Sequence, residues 1–211
     1  MTARAALQAR LEQGIAALGL ALPADAVQRL LDYQALLDRW NPAYPLPAIR
    51  DPAEMVTRHL LDSLAILPYV QGATLADLGT GPGLPGIPLA IAAPGRRILL
   101  VDSNGKKVRF LREAIRALKL DGVRALQSRV EEVEGAFDCV TARAFASLAD
   151  MLGWGGRLLA PGGTWLAMKG KAPDEELPGV PPGFAVRGIH ALAVPGLDAG
   201  RCLVVLGHAG H

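Results

Sequence analysis

A glycine-rich segment, DLGTGPGLPGIPLAI at residues 77–91, is the part of the sequence whose residue types and spacing are best suited to chemistry. Gly79, Gly81 and Gly83 stand at alternate positions, and Gly86 completes a G-x-G-x-x-G pattern that starts at Gly81. Glycine adopts positive φ angles and lets a ligand approach the backbone closely. The segment follows a short apolar run and precedes a helical pattern, as nucleotide-binding loops do. It therefore predicts a site for a cofactor that contains a nucleoside.

An acidic residue supports this interpretation. The run RILLVD ends in Asp102, about 20 residues beyond the loop, where a carboxylate can accept hydrogen bonds from both ribose hydroxyls. Pro88 suits the first turn of the following helix, where a missing N–H is tolerated. We expect the free amides at that helix start to favour an anionic ligand group. A plain glycine turn with a capping aspartate is the alternative.

The kind of cofactor is indicated by Asp77, two residues before Gly79. A carboxylate beside the loop is unfavourable near a dinucleotide pyrophosphate, because like charges repel. It is compatible with S-adenosylmethionine, which carries an ammonium and a sulfonium. An NAD-dependent oxidoreductase that uses the match at 81–86 stays an alternative, although no His or Lys stands beside a second substrate-binding pattern. We assign four loop residues to cofactor binding: Asp77, Gly79, Gly81 and Gly83.

Repeated strand–helix units position these residues. Strands are predicted at TLADL, RRILLVD, VRALQS, FDCVTAR and GGTWLAMKG, and helices at GIPLAIAA, KKVRFLREAIRALKL and SLADMLGWGGRLL. Two late runs, FAVRGIHALAV and RCLVVLGH, are close enough to pair antiparallel. This alternation predicts an α/β, Rossmann-like fold with a mostly parallel sheet, an antiparallel last strand and helices on both faces.

Two helical patterns precede the sheet. The first has its apolar residues at helical spacing: Leu7, Leu11, Ile15 and Leu18. Pro23 is expected to open the second helix, because proline is tolerated in a first turn. Four prolines within residues 41–52 then break the pattern and predict an extended connection.

A third helix is expected before the sheet begins. Asp51 is suited to cap it, with Pro52 at its first position, and the helical pattern continues to Pro68. The chain is accordingly divided into an N-terminal helical cap, residues 1–70, and a Rossmann-like domain, residues 71–211. We expect the two to form one compact unit.

Composition limits the class of protein. The chain has 211 residues, of which 51% are hydrophobic and 20% charged, as suits one well-filled α/β domain. Neither a membrane span nor the apolar core of a signal peptide is found. Two cysteines without paired spacing, Cys139 and Cys202, predict a reduced, cytoplasmic protein without structural zinc. A net charge of +2 permits a polyanionic partner without requiring one.

Long ordered motifs in this chain resemble one known family. DLGTGPGLPGIPLAI, VDSNGKKVRFL, SRVEEV, FDCVTARAFASL and APGGTWLAMKG are similar to the glucose-inhibited division protein B family, and IRDPAEMVTRHLLDSLAIL and LDAGRCLVV fit as well. The resemblance covers roughly residues 30–207. One departure is Pro45-Leu46-Pro47, where the family often has Asn-Leu-Thr, so any contact that those side chains make is in doubt.

The resemblance implies a fold, an activity and a substrate. Members of this family are bacterial class I S-adenosylmethionine-dependent methyltransferases that modify N7 of a guanine in 16S rRNA, in the 530-loop region. The partner implied is 16S rRNA or the 30S ribosomal subunit, and we expect a monomer without membrane contact. The resemblance also implies the residues of the cofactor site: Gly79, Leu84, Asp102, Ser103, Asn104, Val130, Glu131 and Arg143.

The chemistry of that reaction explains which side chains the sequence lacks. Guanine N7 carries a free lone pair and needs no general base, so the lack of a clear His–Asp or Cys–His pair is expected. The histidines are therefore expected to be structural or surface residues: His59, His190, His208 and His211. Cys139 is expected to lie in the core.

Cations are expected where strands end, to hold the phosphates around an unstacked guanine. We assign Arg143 and Lys169 to the reaction. RNA binding is assigned to Lys106, Arg129, Lys169 and Arg201. Each of these side chains is alternatively a solvated surface charge. A methyltransferase for another substrate, and a ribosome-associated binding module with a vestigial cofactor loop, are the remaining alternatives.

Overall fold

Seven strands form one sheet in the computed structural model, which describes residues 2–40, 49–143, 146–170 and 173–210. The sheet has the order β3-β2-β1-β4-β5-β7-β6. Its strands are β1 Thr74–Leu78, β2 Arg97–Asp102, β3 Val123–Gln127, β4 Phe137–Arg143, β5 Leu159–Lys169, β6 Phe184–Ala191 and β7 Cys202–His208.

The directions of the strands confirm the sequence prediction. Strands β1 to β5 pair in parallel. Strand β7 lies between β5 and β6 and is antiparallel to both. The two late runs of the sequence therefore do pair with each other, and the last strand also completes the edge of the parallel part of the sheet. The fold is the mostly parallel, Rossmann-like sheet expected from the repeated strand–helix units.

Strand β1 is the point where the strand order reverses. Leu78 is in register with Val101 of β2 on one side and with Ala142 of β4 on the other. Gly79 follows β1 directly and Arg143 is the last residue of β4, so they stand where the two loops diverge at the carboxyl edge. Ligands of open α/β sheets bind in the crevice at such a switch point.

Helices cover the sheet in the described ranges. They are α1 Ala3–Ala17, α2 Ala26–Trp40, α3 Pro52–Met55, α4 Asp62–Leu64, α5 Gly86–Ala92, α6 Gly105–Ala117 and α7 Leu148–Gly155. A π-helical segment, Val56–Leu61, joins α3 to α4. Short 3₁₀ turns lie at Leu67–Tyr69, Val130–Glu132, Gly156–Leu158 and Leu177–Gly179. Over the described ranges, no helix is long and apolar enough to cross a membrane.

The start of the third helix is as predicted, whereas the start of the second is not. Asp51 caps α3, because its carboxylate accepts the Ala53 N–H at 3.1 Å. The second helix does not open at Pro23. It begins at Ala26, whose N–H donates to the carbonyl of Pro23 at 2.9 Å, so the proline belongs to a preceding turn. The extended connection predicted within 41–52 lies largely outside the described residues.

Two apolar cores lie on the two faces of the sheet. The first joins the N-terminal helices to α5, α6 and one sheet face, and the second lies under α7. Tyr33 is fully buried in the first core, and its hydroxyl donates to the carbonyl of Pro82 at 2.8 Å. This bond ties α2 to the glycine loop. The boundary proposed at residue 70 stays a prediction, although the N-terminal helices and the sheet share this core.

Close packing of α1 generates a test of the fold. A Cβ at Gly14 would lie within 3.0 Å of the Leu61 side chain, whereas a Cβ at Gly153 in α7 would meet no atom within 4 Å. Gly14→Ala is therefore expected to lower the free energy of unfolding by roughly 1–3 kcal/mol through overpacking. Gly153→Ala, the matched control, should raise it by about 0.5–1 kcal/mol through helix propensity. Urea denaturation measures both changes, and a stabilised Gly14→Ala variant would contradict this packing.

Candidate active site

The glycine loop between β1 and α5 needs glycine for conformational reasons. Gly79, Gly81 and Gly83 have φ angles of +64°, +61° and +103°, a region that L side chains rarely adopt. A Cβ at Gly81 would meet nothing within 4 Å. The backbone at this glycine is therefore bordered by open space, as the approach of a ligand requires.

Asp77 holds the two ends of this loop together. It is fully buried, and its Oδ2 accepts the Thr80 hydroxyl at 2.5 Å and the Gly86 N–H at 2.8 Å. A Cβ on Gly86 would lie 2.7 Å from that oxygen, which explains the glycine at the first position of α5. The other oxygen, Oδ1, has no hydrogen-bond partner among the described residues. Asp77 shapes the loop from beneath, and a direct ligand contact by this residue stays a prediction that the burial does not favour.

The amides at the start of α5 are not free, contrary to the expectation of an anion site there. The Gly86 N–H donates to Asp77, the Ile87 N–H to the Gly83 carbonyl at 2.8 Å, and the Leu89 N–H to the Pro85 carbonyl at 3.1 Å. Pro88 has no N–H. The sequence prediction of an anion site at this helix start was wrong because the loop folds back and uses these donors itself.

Burial makes the carboxyl group of Asp77 a weaker acid than usual. Desolvation raises the pKa of its carboxyl from 3.8 to about 7, although the bonds from Thr80 and Gly86 and the positive charge of Arg143 act in the opposite direction. The group therefore titrates near neutral pH in the folded protein.

Asp102 lies at the end of β2 and joins the loop to that strand. Its Oδ2 accepts the Gly81 N–H at 2.9 Å, and its Oδ1 accepts the Asn104 N–H at 2.8 Å. Lys107 Nζ lies 3.5 Å from Oδ2. Because each carboxylate oxygen has a further lone pair, both can still accept a ribose hydroxyl. Asp102 is held in place for the role that the sequence predicts.

A cavity of about 790 Å³, called here the first cavity, opens beside Asp102. It is lined by Gly79, Val101, Asp102, Ser103, Lys107, Gln127, Ser128, Arg129, Val130, Glu131, Glu132 and Trp154. Five predicted cofactor residues thus lie together: Gly79, Asp102, Ser103, Val130 and Glu131. Arg129, predicted to bind RNA, lies in the same wall. The lining does not include the other six predicted cofactor residues, all of which the structure describes: Asp77, Gly81, Gly83, Leu84, Asn104 and Arg143.

The first cavity fits a nucleoside cofactor. Its volume of about 790 Å³ is within the range of roughly 300–1,000 Å³ of small-molecule pockets. Asp102 offers acceptors for a ribose, and Val130 offers an apolar surface for a base. Arg157 Nη2 donates to the carbonyls of Val130, at 3.2 Å, and Glu131, which fixes the turn that carries both residues.

A second cavity, of about 260 Å³, opens at the same edge of the sheet. It is lined by Ile49, Arg58, His59, Asp62, Arg143, Met168, Lys169, Gly170 and Arg201. Three of the predicted cations, Arg143, Lys169 and Arg201, therefore lie together here. They come from the ends of β4 and β5 and from the residue just before β7, and the helical segment before β1 closes the other side.

Asp62 organises the arginines of the second cavity. This carboxylate is 2% exposed. Its Oδ1 accepts from Arg201 Nε at 2.9 Å, and its Oδ2 accepts from Arg143 Nη1 at 3.2 Å. Arg143 Nη1 also lies 3.3 Å from the Arg58 carbonyl. Since a buried charge is tolerated only when it is paired, Asp62 fixes both guanidinium groups in position.

Lys169 is engaged in a different contact. Its Nζ donates to the Ala146 carbonyl at 2.6 Å and to both Glu176 oxygens, at 3.0 and 2.7 Å. Glu176 also accepts the Leu148 N–H at the start of α7. The lysine thus braces the segment after β5 against α7, and a direct part in the reaction stays a prediction.

Lys106 lies away from the other predicted cations. It lines a third cavity, of about 560 Å³, together with Asn104, Gly105, Arg109, Arg112 and Gln127. Asn104 caps α6, because its side chain accepts the Lys106 N–H at 2.9 Å. Asn104, predicted to bind the cofactor, therefore contributes to the frame next to the first cavity and not to its lining.

Several residues of both cavities were missed by sequence reasoning. Lys107, Ser128 and Trp154 line the first cavity, and Arg58, His59 and Asp62 line the second. Asp62 could have been recognised from the sequence. A carboxylate within the apolar helical run RHLLDSLAIL needs a polar or cationic partner if it is buried. No local pattern distinguished His59 from a core histidine.

The described residues give little support to metal-dependent chemistry or to a cysteine nucleophile. No group of three His, Cys, Asp or Glu side chains suited to a metal ion occurs among them. Cys139 is fully buried, and desolvation raises the pKa of its thiol to about 12. A group that stays protonated is a poor nucleophile, as expected for a core cysteine.

Solved structures share the fold of this chain. TrmN from Thermus thermophilus matches with a TM-score of 0.59 and 22% identity over 82% of this chain and 53% of that one. A mutant of MtNAS in complex with S-adenosylmethionine matches with a TM-score of 0.56 and 18% identity over 85% of this chain and 71% of that one. The fold is that of the class I S-adenosylmethionine-dependent methyltransferases, as the sequence predicted.

Related sequences identify the family of this chain, whereas the solved structures show only its fold. The model of the GidB family, described as rRNA small subunit methyltransferase G, matches residues 26–204. The ribosomal RNA small subunit methyltransferase G of Stenotrophomonas maltophilia strain K279a is 56% identical over 96% of this chain and 95% of its own. That of Xanthomonas euvesicatoria strain 85-10 is 54% identical over 95% and 94%. The chain belongs to the rRNA small subunit methyltransferase G family, which confirms the resemblance found in the motifs.

The position of Asp102 generates a binding prediction. Asp102→Asn is expected to weaken binding of S-adenosylmethionine by about 10- to 100-fold, because a hydrogen bond to a charged group contributes roughly 1.5–3 kcal/mol. Isothermal titration calorimetry measures the affinity. Asp121→Asn, an exposed position beyond α6, is the matched control and should bind as the wild type does. Equal affinity of all three proteins would contradict the role of Asp102.

The raised pKa of Asp77 generates a prediction on stability. The folded-state value of about 7 lies above the ordinary 3.8, so the folded protein binds this proton more tightly than the unfolded chain. The corresponding stability is present below about pH 4 and is lost as the pH rises through 7.

Asp77→Asn keeps an acceptor for Thr80 and Gly86 but cannot titrate. The free energy of unfolding of the wild type should therefore fall relative to that of the variant between pH 4 and 7, by on the order of 1 kcal/mol or more. Urea denaturation at a series of pH values tests this. Parallel curves for the two proteins would show that Asp77 does not titrate in this range.

Proposed function

We propose that this chain transfers a methyl group from S-adenosylmethionine to N7 of a guanine in 16S rRNA, in the 530-loop region. The observation that carries the proposal is the juxtaposition of two cavities at one switch point. Gly79 borders the first cavity and Arg143 the second, and they follow the paired residues Leu78 and Ala142. Because adjacent strands lie about 4.8 Å apart, ligands in the two cavities can meet.

The cofactor side of the site depends on residues that are already fixed. Asp102 is oriented by the Gly81 and Asn104 amides, and each of its oxygens keeps a lone pair for a ribose hydroxyl. Val130 and Glu131 stand on a turn braced by Arg157. When bound, S-adenosylmethionine supplies both the methyl group and, as a sulfonium, the leaving group. The protein contributes orientation, which is the main requirement of an in-line transfer.

The methyl acceptor needs no general base. Guanine N7 has a lone pair in the plane of the ring, and no proton has to be removed before it attacks. The chemistry of the second cavity is consistent with this, because its cations are fixed by ion pairs: Arg143 and Arg201 by Asp62, and Lys169 by Glu176. Groups held in this way can position a substrate.

A folded RNA has to present the base. N7 faces the major groove, which is deep and narrow in A-form RNA, so the guanine must be unstacked and turned outward. The second cavity, of about 260 Å³, is close to the lower limit of pockets for whole ligands, which suits a single base. Arg58, Arg143 and Arg201 surround it and suit the phosphates on either side.

The proposal includes the partner and the location. We propose that the substrate is presented by the 30S subunit or by its 16S rRNA, and that the protein acts as a monomer. Action on ribosomal RNA would place it in the cytoplasm. The predicted RNA-binding residues, Lys106, Arg129, Lys169 and Arg201, are distributed over three cavities, so RNA would have to cross the carboxyl edge of the sheet to reach all of them.

The alternative cofactor NAD receives less support from the geometry. A pyrophosphate would need donors at the start of α5, and these amides are bonded within the protein. Asp77 would also place a carboxylate beneath that group. Calorimetry with S-adenosylmethionine and with NAD separates the two cofactors, and binding of NAD alone would contradict the proposal.

Transfer of tritiated methyl groups to 30S subunits from cells that lack this protein tests the activity. Arg143→Ala should lower the rate roughly 100-fold or more, the loss typical of removing one preorganised donor. Arg116→Ala, which removes an exposed arginine paired with Glu113 on α6, is the matched control and should act as the wild type does. Because Asp62 loses a partner in Arg143→Ala, Arg143→Lys should be assayed as well, together with thermal unfolding.

Normal turnover by both Arg143 variants would remove this residue from the active site. Primer-extension mapping of the product locates the methylated base. Modification at a position outside the 530-loop region would retain the methyltransferase but overturn the assignment of its target.

A further inference from the structure

His59 is the least explained residue of the second cavity. It is 4% exposed, and neither Nδ1 nor Nε2 has a hydrogen-bond partner among the described residues. Leaving buried polar atoms unpaired costs about 1–3 kcal/mol. Such a cost in the free protein points to a partner that arrives with a ligand.

The backbone around His59 is also unusual. The residue lies in the π-helical segment Val56–Leu61, and the Ser63 hydroxyl donates to its carbonyl at 2.6 Å. Short π-helical segments occur frequently at functional sites. This segment brings Arg58, His59 and, one residue beyond it, Asp62 to the wall of the second cavity.

The imidazole is neutral at physiological pH. Burial, together with the positive charge of Arg143, lowers the pKa of His59 to about 4, against a smaller opposite effect of the Arg58 backbone. The Arg58 carbonyl accepts from Arg143 Nη1 at 3.3 Å and is outside hydrogen-bond geometry for either ring nitrogen. A neutral imidazole has one N–H donor and one acceptor nitrogen.

The chemistry of guanine matches this group. The edge of the base that carries N7 has one further acceptor, O6, whereas adenine has an amino donor there. N7 itself must stay free to attack. A cationic donor at O6 would withdraw electrons from N7 and would oppose the positive charge that develops on the ring during transfer. A neutral N–H donor has neither disadvantage.

We propose that His59 is a base-binding residue of the methyl-transfer site and donates a hydrogen bond from its neutral imidazole to O6 of the target guanine. The inference rests on the proposed function. Apolar contact from Ile49 and Met168, which line the same cavity, would hold the plane of the base, and the surrounding arginines would hold its phosphates.

His59→Phe tests this inference, because it preserves a planar ring and removes both nitrogens. We expect kcat/KM for methylation of undermodified 30S subunits to fall by about 10- to 100-fold. Affinity for S-adenosylmethionine, measured by calorimetry, should not change. The melting temperature should be equal or higher, since two unpaired buried atoms are removed. A purely structural histidine would show the same change in stability without the loss of turnover.

A matched control is Gln34→Leu. Gln34 on α2 is also buried and has an unpaired atom, Oε1, and its amide donates to the Pro52 carbonyl at 2.7 Å. Turnover by this variant should be normal. It controls for the removal of a buried polar group from the helical layer.

Two conservative variants make the test independent of the phenylalanine protein. The amide nitrogen of His59→Asn replaces Nδ1, and that of His59→Gln replaces Nε2. Only one of these ring nitrogens is the donor in the neutral imidazole. The variant whose amide replaces that nitrogen should be at least about tenfold more active than the other. Turnover of His59→Phe equal to the wild type, or equal activity of the Asn and Gln variants, overturns the role of His59. Failure of the wild type itself to methylate 30S subunits would instead overturn the proposed function.

Discussion

The buried carboxylate of Asp77 determines where the glycine loop stands, and the position of the candidate cofactor site depends on that loop. One oxygen accepts from both Thr80 and Gly86, which lie on either side of the glycines Gly81 and Gly83 with positive φ. A second carboxylate, Asp102, takes the Gly81 amide and so fastens the middle of the loop to the next strand. The loop is therefore positioned by two carboxylates near the ends of the adjacent strands β1 and β2. The amides at the start of α5 do not have this role. This arrangement costs desolvation of Asp77, which is visible in its raised pKa.

The two cavities differ in the way that they hold charge. In the second cavity, Asp62 is almost fully buried and is satisfied by two arginines from β4 and from the start of β7. A buried ion pair of this kind is weak evidence for stability, because desolvation offsets much of the attraction. Its effect is geometric, since neither guanidinium can turn away without leaving one oxygen of the buried carboxylate without its partner. Side chains far apart in the sequence thereby obtain a fixed orientation, which the proposed binding of an unstacked base and its phosphates would require.

Much of the candidate cofactor site follows from local signals in the sequence. Positive-φ glycines and an acid at the end of the next strand depend on residues close together in the chain, and the structure places Gly79 and Asp102 at one cavity. The second cavity depends on tertiary contacts. Asp62 and Arg201 are 139 positions apart, so no spacing pattern relates them. The proposal for His59 depends on the lack of hydrogen-bond partners for its ring nitrogens among the described residues. A sequence alone cannot show that a buried atom lacks such a partner.

The excess of cations around the second cavity bears on the end of the proposed reaction as well as on its beginning. The guanine would be neutral before transfer, whereas the methylated purine would carry a positive charge beside Arg58, Arg143 and Arg201. Like charges repel in a site with little water. Under the proposed function, the same arginines that suit an RNA backbone would therefore also favour departure of the modified nucleotide.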